Sequence, residues 1–286
     1  MALRYERPAT VEHAAALLAA ADGRARVLAG GTDLLVSIRS GESSPTLIVD
    51  IKGIPGMNEI RWTPGGDLRI GAAVEVRRIY EETRILHTYA ALAEGAGSIG
   101  SLQIRNRATM GGNLANASPC MDTAPPLLVL GARLQVVGSA GEREIPLDAF
   151  FVGVKKTVLE PDEILASILV PCAPVGLRSA FEKIKRIHGH DLALVNAAGS
   201  FDPGARTIRV AIGSCAETPI LLPALTEIDP GAAGSEEIGE RLGALAAKHL
   251  CPIDDVRASA EYRRDMAALL CHRLARRLLG RPDGRP

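Results

Sequence analysis

The sequence predicts a chain of the α+β class, with helices and strands gathered into separate groups rather than alternating in one long series. Three observations carry this. A small strand–helix–strand unit opens the chain, a set of apolar strands with antiparallel signals fills residues 181–212, and two helices close it. Hydrophobic residues make up 47% and charged residues 23%, an ordinary globular balance over 286 residues, enough for two or three lobes with real cores. Aromatics are only 3%, so the core must be built from Ala, Val, Leu and Ile.

The elements follow from local signals. Residues 5–7 read as a short strand. Thr10 stands where an N-cap belongs, ahead of Val11, Ala14, Ala15 and Leu18 at helical spacing, and Asp22-Gly23 stops that helix. Residues 26–29 form a strand that runs into Gly30-Gly31-Thr32-Asp33; 34–39 make a helix and 47–50 a strand. Pro55-Gly56 breaks the chain, and Pro64-Gly65-Gly66-Asp67 between 60–62 and 68–70 is a hairpin signal. Helices are expected over 74–82 and 89–97, a Gly-, Asn- and Ser-rich loop over 109–119, a buried helix end at 127–130 and a strand at 134–137. The strand 164–170 is closed by Pro171. Residues 181–187, 192–201 and 207–212 form the antiparallel group, and helices cover 235–249 and 258–279. Domain boundaries are placed at 1–53, 54–174 and 175–286.

Composition excludes several functions. Lys plus Arg (33) equals Asp plus Glu (33), so no field favours nucleic acid or an anionic membrane. No long uncharged apolar run offers a membrane span, and a charged N-terminal stretch points to a cytoplasmic protein. Cys120, Cys172, Cys215, Cys251 and Cys271 lack the spacing of a zinc or iron–sulfur site, so any such cluster belongs to another chain. His188 and His190 form an H-x-H pair without a third ligand nearby in sequence. Arg263, Arg264, Arg273, Arg276 and Arg277 on the last helix read as a solvated face. Gly95-Ala-Gly-Ser-Ile-Gly100 matches G-x-G-x-x-G, but a helical segment precedes it and no acidic residue about 20 positions on stands at the tip of a second strand, so these glycines end a helix and permit close packing.

Two glycine segments carry the functional reading. Ala29-Gly30-Gly31-Thr32-Asp33 follows a strand and enters a short helix. Ala108-Thr109-Met110-Gly111-Gly112-Asn113 continues to Asn116-Ala117-Ser118-Pro119 and Asp122. Paired glycines let successive N–H groups point into one concavity that accepts phosphate oxygens, and Thr32, Thr109 and Asn113 add side-chain donors. Together the two segments would clamp a pyrophosphate. Neither carries the Lys-Ser/Thr ending of a nucleotide-hydrolysing loop.

On AGGTDLL at 29–35 and TMGGNLANASP at 109–119, the chain resembles the FAD-binding medium subunits of the xanthine dehydrogenase and carbon monoxide dehydrogenase family. The resemblance spans essentially the whole chain. It implies a two-lobed vanillyl-alcohol-oxidase-type (PCMH-type) FAD-binding domain and a C-terminal three-stranded antiparallel sheet with helices. It also implies site roles. Leu28, Ala29, Gly30, Gly31, Thr32 and Asp33 would wrap the pyrophosphate with Ala108, Thr109, Gly112 and Asn113. Ile99 and Gly100 would lie near the adenine, Asp122 would accept from the sugar portion, and Leu165 would touch the isoalloxazine. Lys183 matches a family lysine at the flavin's polar edge, and Asp191 an acidic residue after that strand. Thr32 replaces a histidine found in some relatives, so FAD is expected to be noncovalent. The implied partners are an iron–sulfur small subunit with [2Fe–2S] clusters and a molybdopterin large subunit, in a dimerised heterotrimer that passes electrons through this FAD. The competing readings are a self-contained flavin oxidoreductase with its own substrate pocket, for which His188, His190 and Asp191 are candidates, and a structural subunit without FAD.

Overall fold

The computed structural model describes residues 3–187, 189–229 and 234–280. They form two compact units that do not follow chain order. The first holds the residues through Arg78 with Leu102–Ala117 and Gly131–Cys172; the second holds Ile79–Ser101, Ser118–Leu130 and the residues from Ala173 onward.

The first unit opens with β1 (Arg4–Glu6), α1 (Val11–Ala20), β2 (Ala25–Leu28), α2 (Leu34–Ser40) and β3 (Leu47–Asp50). The strands form a parallel sheet in the order β1-β3-β2. Thr10 caps α1 as expected, its hydroxyl accepting from the His13 N–H, and Ala14, Ala15 and Leu18 are the buried face. At the end of β3, buried Asp50 accepts from the Tyr5 hydroxyl and from both the backbone N–H and the ammonium of Lys52. These donors pull its carboxyl below the ordinary range against the opposing effect of burial.

A second sheet in this unit is antiparallel, in the order β4-β5-β10-β6-β7. Its strands are β4 (Ile60–Trp62), β5 (Leu68–Gly71), β6 (Arg133–Gly138), β7 (Gly141–Pro146) and the central β10 (Ile164–Val170). β10 is buried along nearly its whole length, and apolar except for Ser167, because both its neighbours and the packing of α1 cover it. Its pairing with β6 slips between Leu165 and Ser167, a local bulge. A small hairpin, β8 (Phe151–Gly153) and β9 (Lys156–Thr157), completes the unit with two short helices, α6 (Leu102–Arg105) and α7 (Met110–Ala115). Helix α3 (Val76–Glu81) runs across the division of the chain.

In the second unit, β11 (Arg178–Ile184), β12 (Val195–Asp202), β13 (Thr207–Gly213) and β14 (Ile220–Leu221) form one antiparallel sheet in chain order. The three expected strands are present. The fourth is only two residues long, between Pro219 and Pro223, too short for a period-2 signal. β12 is buried on both faces. Val195, Ala197 and Phe201 pack with α9 (Ser235–His249) and α10 (Ala260–Leu279) in one core. Asn196 and Ser200 face the opposite way, Ser200 donating to the Val129 carbonyl. That opposite face carries α8 (Ala124–Val129) and α5 (Ala90–Gly97), preceded by α4 (Thr83–Thr88).

Three expectations change. Residues 74–97 hold three short helices rather than two, with Tyr89 both ending α4 and starting α5. The expected loop at 109–119 begins instead as helix α7, because Thr109 caps it and its glycines pack where no side chain fits. Arg263 is not on a solvated face: it is 2% exposed and donates to the Leu194 and Ser214 carbonyls and to Asp255. Gly95 and Gly97 lie in the last turn of α5, and a Cβ on Gly95 would stand 2.6 Å from the Asp122 carbonyl oxygen, the close-packing role expected of them.

Candidate functional site

The two glycine segments meet in the first unit. A Cβ on Gly30 would lie 2.1 Å from the Arg107 carbonyl oxygen and 2.9 Å from the Ala108 Cα, so backbone rests directly on backbone. A Cβ on Gly112 would lie 3.9 Å from the Ala29 Cβ. Gly31 adopts φ +76, which turns the chain out of β2 and into α2.

Hydrogen bonding separates the two segments. No described residue accepts from the N–H of Gly30, Gly31, Thr32, Asp33 or Leu34. Five successive, partly exposed donors around a left-handed glycine have the geometry to receive an anion. The second segment differs from the expectation. Met110 N–H donates to Val74, Gly111 N–H to Ala72, Gly112 N–H to the Thr109 hydroxyl and Asn113 N–H to the Thr109 carbonyl. Its backbone donors are spent, so it is not a second nest. Thr109 is 2% exposed and its hydroxyl acts as a cap acceptor; the segment contributes shape, that hydroxyl and the Asn113 side chain.

Leu165 is placed by the same construction. Gly111 sits on Ala72, where a Cβ would meet the Ala72 Cβ at 2.4 Å, and the Ala72 N–H donates to the Ala166 carbonyl in the β10 bulge. The bulge beside Leu165, the turn at Ala72 and the start of α7 are therefore stacked in one rigid block. At the other end of the motif, the Lys155 ammonium and N–H bind the Asn116 side-chain oxygen and the Ala117 carbonyl, tying the 151–157 hairpin to it.

The second unit holds the charged part. Lys183 on β11 donates to Asp122 at 2.6 Å and to the Ser98 carbonyl at 3.2 Å, with side chains 7% and 6% exposed for the ion pair. Its third N–H meets no described residue. Asn196 donates to Asp122 at 2.7 Å and to the Met121 carbonyl at 3.1 Å. Lys183 and Asn196 are opposite partners across β11 and β12, which puts both side chains on the same face. Burial pushes the Asp122 carboxyl up, opposed by the Lys183 charge and by hydrogen bonds from Lys183, Asn196 and Ser98. Deleting one partner of such a buried pair typically costs about 3–5 kcal/mol. Ile99 and Gly100 adjoin Ser98, and Gly100 has φ +48.

Asp191 lies elsewhere in its environment. It accepts from the Arg186 and Leu192 N–H groups and pairs with the Arg186 guanidinium at 3.6 Å. It braces its own turn; burial acts to raise its carboxyl, but these bonds and charge leave it below the ordinary range. His188 lies outside the described residues. The sequence reading missed Ser98 and Asn196. A signal existed for Asn196, a lone amide in the apolar run Val195 to Gly199; Ser98 acts on Lys183 through its carbonyl, which any residue carries, and on Asp122 through its side chain.

The first unit by itself carries an open row of backbone donors suited to an anionic group, and the second by itself a buried ammonium–carboxylate pair, on the α+β frame of a PCMH-type FAD-binding protein. The residues thus fit FAD. Residues 1–173 match the FAD binding domain in molybdopterin dehydrogenase, and residues 179–278 match the CO dehydrogenase flavoprotein C-terminal domain. The chain belongs to this family: it is an oxidoreductase component, an FAD-binding medium subunit of the xanthine/CO dehydrogenase type. It is 33% identical to the xanthine dehydrogenase FAD-binding subunit of Escherichia coli O157:H7 over 91% of this chain and 90% of that one. It is 30% identical to the carbon monoxide dehydrogenase medium chain of Afipia carboxidovorans, covering 97% and 96%. Its fold matches reconstituted CO dehydrogenase from Oligotropha carboxidovorans with a TM-score of 0.89 at 29% identity, covering 98% of this chain and 99% of that one.

Proposed function

We propose that this chain is the electron-relaying subunit of a three-subunit molybdenum hydroxylase, receiving electrons from [2Fe–2S] clusters on a small subunit while a molybdopterin large subunit oxidises the substrate. The assembly is cytoplasmic and dimerised, and an external acceptor takes the electrons. When bound, FAD supplies the exchange between one-electron and two-electron chemistry. In the first unit, Leu28 and Ala29 lead the chain into the turn, and Gly30, Gly31, Thr32 and Asp33 receive the diphosphate on their N–H groups. Ala108 and Gly112 hold that turn by close approach, Thr109 and Asn113 add polar side chains, and Leu165 gives an apolar contact for the ring. In the second unit, Ile99 and Gly100 flank the adenine, Asp122 accepts from the sugar portion, and the third N–H of Lys183 faces the flavin's polar edge. A cation there stabilises negative charge on the reduced ring. Asp191 acts indirectly, by holding the turn after β11. FAD is noncovalent.

The observation that carries this reading is the row of donors at 30–34 that no described residue accepts from. Among the described residues, no helix is long and apolar enough to cross a membrane. The self-contained oxidoreductase gains no support, since the Asp191 carboxylate is already engaged by its own turn. Hydrogen exchange on the purified chain with and without FAD tests the assignment. The amides of 30–34 should exchange rapidly without FAD and become protected with it, whereas those of 110–113 should be protected in both. Amides 30–34 that ignore FAD would remove the diphosphate from this turn.

A further inference from the structure

Asn196 poses a question that core packing does not answer. It is fully buried in β12, among alanine and valine, and its side-chain oxygen has no hydrogen-bond partner among the described residues. An unpaired interior oxygen is a cost that an aliphatic residue would avoid. A second position is given up to it. Gly213 is its partner across β12 and β13, and a Cβ there would stand 2.2 Å from the Asn196 Oδ1. So Lys183, Asn196 and Gly213 lie in one row across three strands, and the amide's two N–H groups are directed to consecutive residues, Met121 and Asp122. Asp122 Oδ1 goes to Asn196 and Oδ2 to Lys183, so the amide fixes the oxygen that the ammonium does not hold.

We propose that Asn196 is a positioning residue for the cation beside the flavin: by holding Asp122 it keeps the Lys183 ammonium in place, and thereby sets the redox potential of bound FAD. This rests on the reading above that Lys183 faces the flavin. Without the amide, Asp122 Oδ1 loses the donor that fixes its orientation. The carboxylate is then free to rotate, the ammonium held on Oδ2 moves with it, and its field on the flavin weakens.

The test uses the full chain loaded with FAD, comparing the midpoint potential with the FAD dissociation constant. Asn196→Leu should lower the reduced-to-oxidised ratio about tenfold, about 30 mV for a two-electron couple. Affinity for oxidised FAD should stay within about threefold. Lys183→Met should lower the potential as well, and Asn196→Leu added to it should produce no further change. A potential that Lys183→Met lowers and Asn196→Leu leaves alone overturns the inference, as does an equal drop from Asn196→Leu in both backgrounds. A potential that Lys183→Met leaves alone removes the flavin-side placement of Lys183, and this inference with it. Should Asn196→Leu fail to fold, Gly213→Ala displaces the same amide by contact, with the same expected direction and the same lack of effect in Lys183→Met.

Discussion

The segments at 29–34 and 108–113 carry the same written signature, two glycines followed by polar residues, yet they are opposite physical objects. In the first, Gly30 also rests on backbone, but Gly31 takes a left-handed turn and, among the described residues, five N–H groups have no partner. In the second, glycine lets backbone approach backbone: Gly111 lies on Ala72, and each N–H from Met110 to Asn113 is already bonded. The difference shows that a glycine motif does not identify a phosphate nest until its donors are accounted for.

Substitutions can break this contrast. Gly30→Ala should have the largest effect, because its Cβ would fall 2.1 Å from the Arg107 carbonyl oxygen and only backbone could yield. A loss of about 3 kcal/mol, at the upper end for overpacking, is expected in chemical denaturation. Gly112→Val should come next. Its Cβ would stand 2.8 Å from the Thr109 hydroxyl and toward Ala29, so the purified chain should lose its flavin absorbance while its circular dichroism stays close to the parent's. Normal flavin occupancy in that variant would mean that the second segment does not border the diphosphate. Thr109→Ala should be the mildest, costing about 1 kcal/mol as a lost helix cap, and Thr109→Ser should restore it. A Thr109→Ala protein as stable as the parent would show that α7 does not depend on its cap.

Much of the fold was legible in the sequence because the relevant forces are local. Thr10 ahead of an apolar helical spacing, Pro64-Gly65-Gly66-Asp67 between two strands, and the period of 235–249 each point to one conformation over a few residues. The helix at Met110–Ala115 was hidden because its glycines argue for a loop unless one knows that Ala72 lies against them. Arg263 looked like surface for a similar reason. On a helix rich in arginine nothing marks one of them for burial, and only the carbonyls of Leu194 and Ser214 and the carboxylate of Asp255 make its interior position tolerable.

The sequence by itself determined the segments, the α+β class, the family and the glycines that matter, since these depend on residue type and short-range spacing. Only the tertiary structure decided which of those glycines leave their amides open, and that Lys183, Asp122 and Asn196 form one network. A donor's availability depends on acceptors supplied by distant chain, and the network joins positions 61 and 74 residues apart through the register of β11 and β12. A one-residue slip in that register would turn Lys183 to the other face of the sheet and dissolve the pair.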